Sequence, residues 1–235
     1  MNATQFFILQ LIAHMLADFY FQNDRLAEQK NTHGFRSPFL KWHILIVFVL
    51  SWGLSFQLSF VYGALVIALT HYIIDGLKVY LNRSKWLGKY AFFIDQVLHL
   101  GVIIAVTVAY VLYLGLDPYW EVKWSSTLLM AIFAYITCLK PSNIFIKEVL
   151  RAYEISVPGT NDLPNAGKLI GVMERVLVLT FILMGEFQAV GFLIAAKSIL
   201  RFKNDDIIKA EYVLTGTLIS FGIAILLGSF VGLAY

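Results

Sequence analysis

Charge is scarce in this sequence. Asp, Glu, Lys and Arg make up 14% of its 235 residues, against 59% hydrophobic residues, where a soluble domain carries roughly 25% charged residues. With a mean hydropathy of +0.74, that scarcity excludes an ordinary water-soluble globule. Cysteine is nearly missing as well. Cys138 stands alone, which excludes an intramolecular disulfide and a Cys-rich metal motif. The net charge of +3 is too small, and too little interleaved with aromatics, for a nucleic-acid partner. The first residues, Met1 to Phe7, hold no basic stretch and no cleavage site, so the first apolar stretch is expected to be a retained helix rather than a signal peptide. Proline is rare and displaced: Pro38, Pro118, Pro141, Pro158 and Pro164 fall between the apolar stretches, so none of those stretches need be kinked by it.

What is present is a series of apolar stretches that reach or approach the roughly 20 residues needed to cross a bilayer. They lie near 4–22, 39–58, 60–81, 91–116, 124–139, 168–184, 188–202 and 211–234. The expected fold is all-α: a polytopic helical membrane protein with about eight crossings, six to eight with the short stretches counted either way. Residues 1–116 would form a four-helix half and residues 117–235 a second membrane half. The pair turning near Gly185 and Glu186 can cross fully or dip in and return. Residues 141–154 place Ile144, Phe145, Val149 and Tyr153 near one face and Lys147, Glu148 and Arg151 on another. That pattern reads as an amphipathic helix on the inner surface.

Orientation follows the Lys and Arg residues. One set of alternate connections holds Arg25, Lys30, Arg36 and Lys41, then Lys78, Arg83, Lys85 and Lys89, then Lys140, Lys147, Arg151 and Lys168, then Lys197, Arg201, Lys203 and Lys209, while the other set holds only Lys123. The basic loops are therefore expected in the cytoplasm and both termini outside.

A charged group inside a span costs about 2.5–3.5 kcal/mol on insertion scales. Asp18, Asp75, Asp95 and Glu174 nevertheless sit inside the apolar stretches, and three of them have a histidine four residues away. The pairs are His14 with Asp18, His71 with Asp75, and Asp95 with His99, and each projects from one helix face. His43 joins them from the second stretch. The order of acid and histidine reverses with span direction. At a rise of about 1.5 Å per residue, all seven groups fall about 6–15 Å from the cytoplasmic end of their span. Imidazole with carboxylate and no thiolate suits a divalent transition metal, zinc foremost, with manganese or iron as alternatives. The metal-ligand candidates are His14, Asp18, His43, His71, Asp75, Asp95 and His99, with Asp18, Asp75 or Asp95 as catalytic base. Structural His–Asp bonds between helices and a proton relay are the competing readings. His33, in a polar loop, is expected to be exposed.

A second polar group enters the same side. Lys78 lies one turn below Asp75, Glu174 and Arg175 interrupt the sixth stretch, Lys197 and Arg201 end the seventh, and Glu211 opens the eighth. They are substrate-binding candidates for an anionic group such as phosphate. Snorkelling Lys and Arg side chains and internal ion pairs would be the structural explanation.

The order HMLADFYFQ, WHI, HYIIDGLK, DQVLHL, IGVMERVLV, AAKSILRF and EYVLTGTLISFG resembles the bacterial inner-membrane family catalogued as domain of unknown function 3307. The resemblance runs over nearly the whole chain, with its most specific motifs in the C-terminal half. It implies an inner-membrane location and singles out the same residues, but it implies no reaction. A looser similarity connects the His/Asp pattern to a group of small membrane-bound metal-dependent hydrolases, whose His-Arg and Thr-His-Ser signature is missing here. The expected function is a membrane-embedded metal-dependent enzyme, a hydrolase acting from the cytoplasmic side on a lipid, lipid-linked or other anionic substrate. A metal-ion or proton transporter and a membrane scaffold are the alternatives. The expected partners are the lipid bilayer and an anionic lipid or phosphorylated substrate, and the residues are compatible with a homo-oligomer.

Overall fold

The Asn2 side chain accepts from Gln5 N at 2.8 Å, while Gln5 Oε1 accepts from Asn2 N at 2.7 Å. This reciprocal capping box starts helix α1, Ala3–Met15, which runs on into a π-helical turn, Leu16–Tyr20, closed by Phe21 N donating to Leu16 O. The computed structural model describes residues 1–120, 123–155, 166–201 and 207–233, and at 166, 200, 201 and 207–210 only the backbone. Among the described residues every regular element is a helix.

A short polar helix follows, α2, Asp24–His33, capped by the Asn23 side chain on Leu26 N at 2.9 Å. Gly34 ends it at a φ of +51°, and a Cβ there would sit 2.8 Å from Gly76 O. A Cβ on Gly76 would in turn lie 2.1 Å from the Phe35 ring. These two glycines let the end of α2 close directly on the backbone beside Asp75. Three long helices come next: α3, Pro38–Ser55; α4, Val61–Arg83; and α5, Ala91–Tyr113. Pro38 occupies the first turn of α3, where its missing N–H costs nothing.

The remaining helices are α6, Ser126–Cys138; α7, Lys140–Ala152; α8, Ala166–Leu183; α9, Phe187–Arg201; and α10, Ile207–Gly232. α6 and α7 meet at a 49° bend. Pro141 cannot donate to the carbonyl four residues back, and the Ser142 hydroxyl takes over Thr137 O at 2.6 Å. On α7 the buried side chains include Leu150 and Ala152, while Phe145 and Tyr153, two residues of its expected apolar face, are exposed.

The helices begin and end close to the expected stretches. Among the described residues, length and apolar composition suffice for crossing a membrane in four helical segments, Pro38–Ser55, Leu58–Arg83, Leu87–Tyr113 and Glu211–Gly232, or in five if the bent α6–α7 pair is one span. The first stretch is divided into a 13-residue α-helix and a π-turn, and α9 has 15 residues.

Contacts divide the chain into two units, Met1–Leu129 and Met130–Tyr235. The first extends beyond residue 116 because Tyr119 N donates to Phe56 O at 3.0 Å and Gln5 Nε2 to Trp124 O at 2.7 Å. Its apolar core joins Phe6, Val47, Phe60, Ala64, Ile67, Ile103 and Tyr110, with Phe60 edge-on to both Phe6 and Tyr110 at 4.9 Å. The second unit packs Cys138, Val178, Leu179, Val190, Phe221 and Ala224. In the first unit apolar side chains such as Leu45, Val49, Leu65, Leu69, Ile73 and Val108 face outward, while His14, Asp18, His43, His71, Asp75, Asp95 and His99 are buried. That arrangement reverses the distribution of a water-soluble protein.

Candidate metal centre

The π-turn sets the first acid. Five-residue turns of this kind are rare and concentrate at functional sites. Here Asp18 Oδ2 lies 3.9 Å from His14 Nδ1, while Asp18 Oδ1 comes to 3.3 Å from both His43 Nε2 and His71 Nε2. α4 contributes His71 and Asp75 from one face, and α5 contributes Asp95 and His99. All seven candidate ligands converge inside the first unit, and none is more than 8% exposed.

Two groups of donor atoms stand out. In the first, His43 Nε2 and His71 Nε2 are 3.1 Å apart, and each is 3.3 Å from Asp18 Oδ1 and 3.5 Å from Asp75 Oδ2. Ligand atoms about 2.0–2.2 Å from a tetrahedral zinc are separated by roughly 3.3–3.6 Å, so the imidazole–carboxylate spacings fit a metal's coordination shell, while the 3.1 Å between the two imidazoles is that of a hydrogen bond. In the second, His99 Nε2 lies 3.6 Å from Asp75 Oδ1 and 3.5 Å from Asp95 Oδ1. These three atoms are buried and make no hydrogen bond, as does Asp18 Oδ1 in the first group. Buried polar atoms are rarely left so. Asp75 reaches both groups, one oxygen to each.

The carboxylates are held in place by groups outside the coordinating set. Gln96 Nε2 donates to Asp18 Oδ2 at 3.2 Å and to Asp95 Oδ2 at 3.3 Å, while its Oε1 faces His14 Nε2 at 3.2 Å. Lys78 Nζ donates to Asp95 Oδ2 at 2.8 Å. Lys30, from α2, donates to Asp75 Oδ2 at 2.7 Å and is 3% exposed. Burial opposes its charge, but Asp75, then Asp18 and Asp95, outweigh that and hold its pKa above the ordinary value. Three carboxylates, Asp18, Asp75 and Asp95, face two ammoniums, Lys30 and Lys78, in this buried layer. His71 and His99 stack with ring centroids 3.7 Å apart. A small cavity bordered by His14, His71, Gln10 and Ser51 has room for about one water.

Sequence reasoning groups Lys78 with the substrate residues, and the structure puts it in this first layer. Lys30 and Gln96 are site residues that sequence reasoning misses. Lys30 has a detectable signal: it shares a face of α2 with Leu26 and Ala27, which are half-buried while Arg25 and Glu28 are exposed. His33 is exposed, as expected.

A family model described as Protein of unknown function (DUF3307) matches residues 6–127. The chain belongs to that family. The match contains all seven candidate ligands together with Lys30, Lys78 and Gln96, and it ends before the motifs on α8, α9 and α10. No curated protein and no solved structure gives a match.

In the second unit the polar candidates are arranged differently. Arg175 is 1% exposed, and its Nε donates to Cys138 O at 2.7 Å, its Nη1 to Ser220 Oγ at 3.0 Å and its Nη2 to Asn143 Oδ1 at 2.6 Å. Lys197 forms an ion pair with Glu174, and its Nζ lies 5.5 Å from the Phe221 ring centroid. Glu211 is exposed at the start of α10, its carbonyl accepting from Thr215 Oγ1. The Arg201 side chain lies outside the described residues.

Proposed function

We propose that this protein is a membrane-embedded metal-dependent enzyme, a hydrolase whose metal is held by the His/Asp layer of the first unit. The observation that carries the reading is the set of buried donor atoms without a hydrogen bond, Asp18 Oδ1, Asp75 Oδ1, Asp95 Oδ1 and His99 Nε2, facing one another or His43 and His71 at coordination-shell spacing. A divalent ion there would supply Lewis acidity and a water activated near neutral pH. Asp18 Oδ2, steadied by Gln96, is placed to accept the water's proton and pass it to the leaving group. A divalent ion would add two positive charges beside the Lys30 and Lys78 ammoniums, which a hydroxide or an anionic substrate oxygen would help to neutralise. The membrane setting rests on the long apolar helices and on the outward apolar and inward polar side chains. About eight crossings, both termini outside and a bacterial inner membrane complete the proposal, with zinc as the first-choice ion.

The test is elemental analysis of protein purified without chelator. One or two equivalents of zinc, manganese or iron are expected, with most of it lost in His71→Ala and His99→Ala. No bound metal, and no change in melting temperature on titrating zinc or manganese, would sink the reading. Reporter fusions at Arg83 and Lys203 should read cytoplasm and those at Asn2 and Tyr235 the outside.

One observation favours a second reading, a carrier for metal ions or protons. The layer is enclosed, and its small cavity extends from His14 and His71 toward Gln10 and Ser51. Metal- or proton-driven flux in proteoliposomes, absent in Gln10→Leu, would favour it over the enzyme.

A further inference from the structure

Lys30 differs from the other charges of the centre. It comes from the polar helix α2 rather than from one of the long apolar helices, and it is the buried residue of that helix. Its ammonium holds Asp75 Oδ2, the same oxygen that lies 3.5 Å from both His43 Nε2 and His71 Nε2. A divalent ion between those imidazoles has Asp75 Oδ2 as a neighbouring ligand, so ion and ammonium compete for one oxygen and repel each other. Lys30 would then be a buried cation without its partner, a state that is costly unless an anion replaces the lost carboxylate.

We propose that Lys30 is the anion-positioning residue of the metal centre: it neutralises Asp75 in the metal-free protein and turns to a phosphate group of the substrate once the metal is bound. This inference rests on the metal reading above and adds the substrate class to it. Phosphate is the favoured anion because it carries several oxygens, so that one can meet the metal while another takes the Lys30 ammonium. The two positive charges that a divalent ion would add beside Lys30 and Lys78 create the matching demand for negative charge. The arm is suited to such a turn. Gly34 packed on Gly76 anchors the end of α2, while the four-carbon lysine stem lets the ammonium shift without moving the helix. The opposite face of α2, with Asp24, Arg25, Glu28 and Thr32, is exposed, so the arm lies beside a polar surface.

The test uses the full chain in phosphatidylcholine nanodiscs. Zinc affinity is read by chelator competition. Anion binding to the zinc-loaded protein is read as a shift in melting temperature, with inorganic phosphate in one arm and phosphatidic acid added to the bilayer in the other. Lys30→Gln keeps a hydrogen bond to Asp75 without the charge. With one positive charge removed beside the ion, it is expected to bind zinc more tightly, by about tenfold, and to lose the anion-induced shift, while Lys30→Arg retains that shift. A shift with inorganic phosphate identifies a soluble phosphate group, and one confined to phosphatidic acid identifies a lipid headgroup. If Lys30→Gln lowers zinc and anion binding together, or if it fails to fold while Lys30→Arg folds and shows no anion shift, Lys30 is a packing residue and the proposal is overturned. An anion shift that Lys30→Gln leaves intact overturns it too. Wild-type protein that binds no zinc sinks the metal reading and this one with it, whereas zinc binding without any anion shift sinks only this one.

Discussion

Asp75, Asp95 and His99 in the first unit turn three buried polar atoms toward one another with no hydrogen bond. Arg175 in the second unit, equally buried, has three of its nitrogens on Cys138 O, Ser220 and Asn143. Both regions place charge among apolar helices, but the first leaves coordinating capacity over where its residues converge, while each guanidinium nitrogen of Arg175 has a partner. The second uses its charge on the chain itself, most clearly at the α6–α7 bend, where Arg175 takes a carbonyl beside the proline break. A polar group that is fully engaged by the protein stabilises a fold. One with unused donors facing a common centre is prepared for a ligand, because burying those donors unpaired costs free energy that a ligand can recover.

The largest expected effect is at Asp75. Asp75→Asn leaves Lys30 buried without its counter-charge, and stability should fall by about 3–5 kcal/mol, measured by denaturation in detergent. Adding Lys30→Met should restore much of that stability while the protein stays unable to hold metal. If Asp75→Asn alone is as stable as wild type, Lys30 is not committed to that carboxylate. Next in size is the metal itself. At a free concentration of 100 times Kd, zinc should stabilise by about 2.7 kcal/mol, and hydrogen exchange should slow within Met1–Leu129 and not within Met130–Tyr235. Equal protection of both units would erase the contrast between them.

The histidine and aspartate spacing was legible because four residues is close to one helical turn, and helix direction then aligned the three pairs. Nothing in that spacing revealed the π-turn at Leu16–Tyr20, which directs Asp18 Oδ1 to His43 and His71 rather than to His14. Lys30 left only the faint signal of sharing a helix face with Leu26 and Ala27: in a polar segment its charge reads as orientation, and the end of its helix is set by the approach of Gly34 to Gly76 from 42 positions along the chain. Arg175 was visible as a charge interrupting the sixth apolar stretch, but one of its partners is a backbone carbonyl, which leaves no mark in a sequence. The number of crossings was the least legible feature, since short apolar helices such as α9 satisfy the pattern without the length.

Arg175→Met tests the closed half. Cys138 O, Ser220 and Asn143 lose a partner together, so a loss of about 1–3 kcal/mol is expected, with metal content unchanged. A variant that stays as stable as wild type but loses substrate protection would make Arg175 a ligand-binding residue and remove the distinction between the units.

The smallest effect is expected at Glu174 and Lys197. Their side chains are 14% and 23% exposed, and partly solvated pairs contribute about 0–1 kcal/mol. Lys197→Met should therefore lower stability by no more than about 1 kcal/mol, and Glu174→Gln added to it should restore most of the loss. Complementation of a deletion strain, run beside the stability measurement, gives the pair its meaning. If the double variant is stable and active, the pair joins α8 to α9 and does nothing else. If Lys197→Met is stable but inactive and the double variant remains inactive, Lys197 meets the substrate and Glu174 only holds it ready. In that case the second unit also carries part of the site, and the leftover donors of the first unit are no longer a sufficient guide to where ligands bind.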